Sequence, residues 1–307
     1  MGDAHVMPDW VAVDWGTSHL RVWLMARSGK VLAGLTSEKG MGRLPRDGFE
    51  PTLVELLGPH LPASGRLPVI VCGMAGSRQG WAEAPYAAVP CKPPSLAQAT
   101  RVTCSDPRLE VFILPGVKQM KPADVMRGEE TQIAGLLADK PGFDGVICLP
   151  GTHTKWAHIS AGEIVSFRTF MTGEMFELLS ARSVLRHSIA DAGWDDAAFS
   201  EAVDDAISRP ADMAGGLFAL RAGALLADLA PQTARARLSG LLIGAELAAA
   251  RPYWLGQEVR IIGATGLASA YLAALKAQGA AADVVPGDEI TLRGLTAAFH
   301  EFEEIQS

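Results

Sequence analysis

Two stretches of this chain, VAVDWGTSHLRVWL from Val11 and VICLPGTHTKW from Val146, follow one pattern. An apolar strand runs into Gly-Thr, a second strand ends near a tryptophan, a glycine turn follows, and a third strand returns. In the first unit Leu20, Val22 and Leu24 alternate with Arg21, Trp23 and Met25, which is the period of a strand with two unlike faces. Arg27-Ser28-Gly29-Lys30 is its turn and Val31–Leu35 its third strand. In the second unit Lys155–Ile159, a turn at Ser160–Glu163 and Ile164–Phe170 play the same parts. The spacings differ, with 13 residues from Gly16 to Gly29 and 11 from Gly151 to Gly162, so this is a structural echo rather than a close repeat.

Between and after these units the chain mixes strands and helices. Leu67–Cys72 reads as a buried strand opening into Gly73-Met74-Ala75-Gly76-Ser77-Arg78, and residues 110–114 as another strand. Residues 51–57 suit a short helix, and Arg127–Asp139 a longer one with Glu129 and Glu130 in its first turn. The stretches near 84–95 and 115–122 read as ordered loops. The second half turns helical over 174–187, 199–208, 213–229 and 233–250. In the last of these Gly240, Gly244 and Ala248 stand four apart on one face. Glycine costs about 1 kcal/mol per helical site, so the two glycines need a packing or ligand reason. Val259–Ile262 then forms a strand opening into Gly263-Ala264-Thr265-Gly266, followed by a helix from Leu267 to Gln278.

Three strand ends thus empty into small, hydroxyl-bearing glycine loops: Asp14-Trp15-Gly16-Thr17-Ser18, Gly151-Thr152-His153-Thr154-Lys155 and Gly263–Gly266. Glycine lets a backbone approach a phosphate and present its N–H groups, and a threonine or serine adds a hydroxyl donor. Two such hairpins can clamp a triphosphate, and a glycine loop opening a helix can hold the far end of a nucleotide. Each loop alone is an ordinary turn. It is the three in order that point to a nucleotide.

Other chemistries lack their residues. A net charge of −7 argues against a general nucleic-acid surface but leaves room for small anions held by local donors. No apolar run reaches the ~18 residues of a membrane span, and MGDAHVMPDW has neither the basic nor the apolar region of a signal peptide. The four cysteines show no zinc spacing and read as reduced thiols of a cytoplasmic protein. There is no GxxxxGK[ST], no GxGxxG after a strand, no GxSxG and no HExxH. His153 and His158 lie five apart on one strand, on opposite faces, which disfavours a shared metal.

The motif order resembles the actin, hexokinase and Hsp70 superfamily. VAVDWGTSHLRVWL, GMAGSRQGWAEAPY, VMRGEETQ, PGTHTKW, FRTFMTGE and LSGLLIGAE together resemble the 2-dehydro-3-deoxygalactonokinases, over about residues 10 to 300. The resemblance implies an α/β fold of two RNase H-like, actin-like ATPase domains, residues 1–140 and 141–307, flanking an ATP cleft. It implies ATP and Mg²⁺, and phosphorylation of a keto-deoxy sugar acid at its terminal hydroxyl in galactonate breakdown. Glu130 is then the first choice of catalytic base and Glu129 the second, a glutamate where hexokinase-like relatives have aspartate. Asp14 would hold Mg²⁺ through water. Gly16, Thr17, Ser18, Gly151, Thr152, His153 and Lys155 would meet the phosphates, and Gly263, Ala264, Thr265 and Gly266 the adenosine.

The sugar acid's carboxylate calls for a cation, for which an arginine fork is suited. Arg21, Arg43, Arg78, Arg127 and Arg168 are the candidates; Arg43 and Arg168 are preferred, with Gly76, Ser77 and Trp81 lining the sugar pocket. The expected partners are the sugar acid and ATP, with neither nucleic acid nor membrane, and self-association left open. The alternatives are a phosphatase of the same superfamily acting on polyphosphate or guanosine phosphates, and a non-catalytic ATP-binding regulator. The configuration at C4 of the sugar acid stays open.

Overall fold

A computed structural model describes residues 7–306. The chain divides into two compact units. The first takes the residues up to Phe143, Ala161–Val165 and the stretch from Asp288 onward; the second takes Asp144–Ser160 and Ser166–Gly287. Where the sequence suggested one crossing near residue 140, the chain crosses more than once.

The first unit opens with strands β1 (Trp10–Trp15), β2 (Leu20–Met25) and β3 (Val31–Ser37), then helix α1 (Phe49–Leu57) and β4 (Leu67–Gly73). Short strands follow: β5 (Tyr86–Ala88), β6 (Thr100–Val102), β7 (Leu109–Ile113), β8 (Gly116–Met120) and β9 (Ala123–Met126). Helix α2 (Glu129–Asp139) comes next. Six strands form one sheet in the order β3-β2-β1-β4-β7-β6, and β5, β8 and β9 form a small second sheet. Residues 116–120, read from sequence as part of a loop, are therefore a strand.

The second unit runs from β10 (Gly145–Leu149) and β11 (Thr154–Ser160) to β12 (Glu163–Phe170), whose first residues belong to the first unit. Helices α3 (Thr172–Arg182), α4 (Asp196–Ser208), α5 (Met213–Leu226), α6 (Pro231–Ala249) and α7 (Arg251–Trp254) follow. Then come β13 (Glu258–Gly263), α8 (Thr265–Ala277) and β14 (Ala281–Pro286). The last helix, α9 (Gly287–Gln306), returns to the first unit.

The echo seen in the sequence is a duplication of topology. β1 is antiparallel to β2 and parallel to β4. β10 is antiparallel to β11 and parallel to β13, in a sheet of order β12-β11-β10-β13-β14. Each unit therefore carries the mixed α/β sheet of the RNase H-like type that the resemblance implies.

Period-two alternation explains how β1 serves two cores at once. Val11, Val13 and Trp15 pack with Phe49, Leu53 and Leu57 of α1 on one face. Trp10 and Ala12 pack on the other with Leu295, Phe299 and Phe302 of α9, and the Trp10 and Phe299 rings stack at 4.4 Å. A strand covered on both faces needs an almost continuous apolar sequence, and WVAVDW is one.

In the second unit the small residues of α6 have a packing reason. A Cβ at Gly240 would stand 2.5 Å from the Phe199 carbonyl oxygen, and one at Gly244 would stand 2.6 Å from that of Val203. α4 and α6 thus meet backbone to backbone. The four cysteines are free, Cys72 and Cys148 being buried. No helix among the described residues is long and apolar enough to cross a membrane.

Candidate functional site

In the first unit the tip of the β1–β2 hairpin is braced from behind. The Gly16 N–H donates to the His19 carbonyl at 2.9 Å and closes the turn. The N–H groups of Met41 and Gly42 donate to the carbonyls of Gly16 and Thr17 at 3.0 and 2.9 Å. Gly40 lies so close that a Cβ there would stand 2.3 Å from the Ser18 carbonyl carbon. Thr17 and Ser18 are left exposed on a fixed loop. The GMG of residues 40–42 is what holds this hairpin in place. The sequence showed the glycines, but not the turn they support.

Asp14 is the last residue but one of β1, its carboxylate paired to Arg21 through Oδ2, and Arg21 also pairs with Asp288. Beside it, Gly73 has φ +87°, and a Cβ there would meet the Trp15 carbonyl oxygen at 2.6 Å and Asp14 Oδ1 at 3.3 Å. Both the backbone conformation and the space require glycine. Gly128, with φ +108°, lies against the same glycine, its Cβ position 3.3 Å from the Gly73 Cα. The Gly128 N–H in turn donates to both carboxylate oxygens of Glu130, at 2.9 and 2.8 Å. Asp14 and Glu130 therefore flank a pair of touching glycines.

Glu130 is 2% exposed. Burial first, and the neighbouring Glu129 charge second, push its carboxyl up to about 7, against the pull of the Gly128 and Glu130 N–H groups and of Arg127. The N-terminus of α2 would ordinarily favour a charged carboxylate. Here desolvation wins, which leaves a group able to exchange a proton near neutral pH. Glu129 is half-buried and accepts from the Arg127 N–H at 3.0 Å, closing the loop before α2.

In the second unit the β10–β11 hairpin meets the first turn of α3. A Cβ at Gly173 would stand 2.2 Å from the Gly151 carbonyl oxygen, and the Glu174 N–H donates to the Thr152 carbonyl at 2.9 Å. His153 is exposed and bonded to Glu174 at 2.6 Å, so it braces the loop from outside. Lys155 is 5% exposed and its Nζ donates to the His153 carbonyl at 3.0 Å. Gly263 lies beside Pro150, its Cβ position 3.2 Å from that carbonyl oxygen, so the third glycine loop adjoins the hairpin.

A cavity of about 740 Å³ opens from this junction within the second unit. Gly151, Thr152 and Gly266 line it, as the sequence suggested for residues meeting a nucleotide; Gly263, Ala264 and Thr265 are not among its lining. Phe176, Trp194, Arg235 and Ser239 also line it, with the Arg235 guanidinium 5.0 Å from the Phe176 ring centre. These four were missed, since they come from loops and helices with no phosphate-type motif.

Behind the hairpin lies a second buried acid. Glu246 of α6 accepts from the Trp156 indole at 2.7 Å, from the Tyr271 hydroxyl at 2.8 Å and from the Thr172 hydroxyl. Tyr271 is 3.0 Å from the Thr154 hydroxyl. One carboxylate thus ties β11, α3, α6 and α8 together. Burial pushes it up to about 7 despite its three donors.

The two arginines preferred from sequence for the sugar acid, Arg43 and Arg168, are both exposed. Arg43 is exposed and paired with Glu38 at 3.0 Å. Arg168 is exposed, with its guanidinium 5.2 Å from the Phe170 ring. Trp81 is buried in an aromatic cluster, 6.0 Å from Trp15 and 6.2 Å from Phe49, so it packs the core. Gly76 and Ser77 are buried in the loop after β4, next to Arg127.

A family model described as 2-keto-3-deoxy-galactonokinase matches residues 14–298. The chain is 40% identical to the Rhizobium meliloti protein named "Probable 2-dehydro-3-deoxygalactonokinase DgoK1", over 94% of this chain and 96% of that one. It is 33% identical to the Escherichia coli 2-dehydro-3-deoxygalactonokinase, over 95% and 97%. A crystal structure of a Sinorhizobium meliloti protein, assigned by name to the same activity, superposes with a TM-score of 0.88 at 40% identity, covering 95% of this chain and 99% of the other.

Proposed function

Because the chain belongs to the 2-keto-3-deoxy-galactonokinase family, we infer that it transfers the γ-phosphoryl group of ATP to the terminal hydroxyl of 2-dehydro-3-deoxygalactonate, in galactonate catabolism. The observation that carries the chemistry is Glu130, a buried carboxylate held at about 7 at the start of α2.

Glu130 takes the proton from the attacking hydroxyl. The oxygen forms a bond to the γ-phosphorus, and the bond to the bridging oxygen breaks with its electrons leaving on ADP. A base titrating near neutrality combines a large deprotonated fraction with enough basicity to draw the proton. The Gly128 N–H holds the carboxylate in place for this task.

The phosphates call for N–H groups, hydroxyls and positive charge. Thr17 and Ser18 in the first unit, and Gly151, Thr152 and Lys155 in the second, each offer such groups. The positive end of α3, pressed against the second hairpin, adds to the field. The adenosine takes the cavity lined by Gly266, Phe176 and Trp194, with aromatic surface for the base.

Asp14 fits a magnesium ion. Mg²⁺ takes one or two carboxylates and leaves its other positions to phosphate and water, so the lack of any larger His, Cys, Asp and Glu cluster among the described residues is no obstacle. Arg21 engages Oδ2, while Oδ1 faces the room that Gly73 leaves. When bound, the ion would spread the negative charge of the phosphates.

The test is ADP release, coupled to an indicator enzyme, with 2-dehydro-3-deoxygalactonate and its C4 epimer as acceptors. Acceptor-dependent turnover is expected. ATP hydrolysis that ignores both sugar acids would sink the reading.

A further inference from the structure

Arg127 stands between β9 and α2, three residues before Glu130. Its guanidinium lies over the Tyr86 ring at 4.2 Å, Nη2 donates to the Ala84 carbonyl at 2.8 Å, and Nε reaches the Tyr86 hydroxyl at 3.4 Å. The group is thus clamped in one orientation. Its remaining nitrogen, Nη1, is buried and has no hydrogen-bond partner among the described residues. Nη1 points at Gly76, where a Cβ would stand only 2.7 Å away. The next residue, Ser77, carries a buried hydroxyl that likewise has no partner. Arg127 is 9% exposed and Ser77 6%.

Two unmet donors of this kind are costly, the more so when one is charged. Among the first-unit arginines that the sequence raised as anion binders, Arg21, Arg43 and Arg78 are each paired with a carboxylate. Arg127 has no ion pair among the described residues. What it lacks is an anionic acceptor.

We propose that Arg127 Nη1 and Ser77 Oγ anchor the carboxylate of the sugar acid. This assignment rests on the kinase reading above. The acceptor molecule has a carboxylate at one end and the reacting hydroxyl at the other. One backbone segment, Arg127–Glu130, then serves both ends, the arginine fixing the charge and the glutamate taking the proton. Nη1 packs directly against the Gly76 backbone, where a Cβ would also meet Ile113 Cγ2 at 2.9 Å and Ala84 Cβ at 3.2 Å. Both donors are shielded from bulk water, so binding includes a shift of the Gly76 backbone and the carboxylate is then held dry. A desolvated charge-assisted pair also selects an acid over a neutral sugar of the same shape.

The experiment compares the acid with its C1 primary amide, a neutral analogue of similar shape, as acceptors for wild type, Arg127→Gln and Ser77→Ala. Wild type is expected to prefer the acid by about 100-fold in kcat/KM, and Arg127→Gln to lose most of that preference with the KM for ATP unchanged. Ser77→Ala removes a hydroxyl that bonds nothing, so its melting temperature should hold or rise while KM for the acid rises on the order of tenfold. A folded Arg127→Gln that keeps the acid-to-amide ratio overturns the proposal. Should that variant not fold, an unchanged acid KM and ratio in Ser77→Ala overturns it equally. If wild type turns over no acceptor, the kinase reading fails on its own. Calorimetric binding of the acid, present in wild type and lost in Arg127→Gln, would still support the anchor, and its absence in wild type would sink it too.

Discussion

Replacing Glu246 with glutamine takes away one buried titratable group and almost none of its volume. In the folded protein this carboxyl is pushed up to about 7, by burial foremost, from an ordinary 4.5. Between these values the folded form holds a proton that the unfolded chain has released. Its contribution is therefore complete below pH 4.5 and is lost as the pH rises through 7. The gap corresponds to about 3 kcal/mol for a single group. Glu130, held at about the same value, adds a second decline of the same sign.

Glu246→Gln should remove one of the two declines. An amide in its place keeps the geometry, its oxygen taking the Trp156 indole N–H and its NH₂ facing the Tyr271 and Thr172 hydroxyls, which can accept as well as donate. The variant should thus be about as stable as wild type at pH 5, where wild type holds its proton, and more stable by about 2–3 kcal/mol at pH 8.5. Urea unfolding of both proteins at these two pH values measures it. Parallel stability-against-pH curves would show that Glu246 does not change protonation in this range, and the account of its burial would be wrong.

Glu130→Gln should lower kcat by about 10²–10⁴ at unchanged ATP affinity, and abolish a rise in kcat/KM with pH centred near 7. The sign follows from the base having to be deprotonated before it can accept. Gly244→Ala should destabilise by about 1–3 kcal/mol in thermal unfolding, although alanine favours helix by about 1 kcal/mol, because its methyl would sit against the Val203 carbonyl. Gly173→Ala should push the second hairpin away from α3, raising KM for ATP on the order of tenfold while leaving that for the sugar acid nearly unchanged. Equal changes in both constants would contradict the placement of that hairpin on the nucleotide.

The two hairpins were legible because Gly-Thr after an apolar strand is a local pattern, and its repetition was the clue to the paired sheets. The acidic start of α2 was equally plain. What the sequence hid depended on distant partners. Arg43 and Arg127 look alike as letters, but the guanidinium of one meets Glu38, while that of the other packs on a ring and bonds a hydroxyl and a carbonyl. Trp81, expected to line the sugar pocket, packs against Trp15 and Phe49, which only the fold brings to it. Strands β5 and β8 are too short to show alternation, and their hydrogen bonds, parallel to one another, come from residues about thirty positions apart. Helix α9 did carry a signal that passed unread, the apolar spacing of Leu295, Ala298, Phe299 and Phe302.

That last helix bears on the order in which the protein can be made. α9 crosses α2 so closely that a Cβ at Gly135 would stand 2.0 Å from the Ile290 carbonyl oxygen, and one at Gly294 would stand 2.0 Å from that of Thr131. The segment carrying Glu130 is therefore seated on residues that are synthesised only after the second unit. Trp10 likewise waits for Phe299 to cover it. The second unit, interrupted by the five residues Ala161–Val165 that belong to the first, is complete in sequence by Gly287. In a nascent chain the second unit can thus complete before the first, whose helix α2 waits for α9.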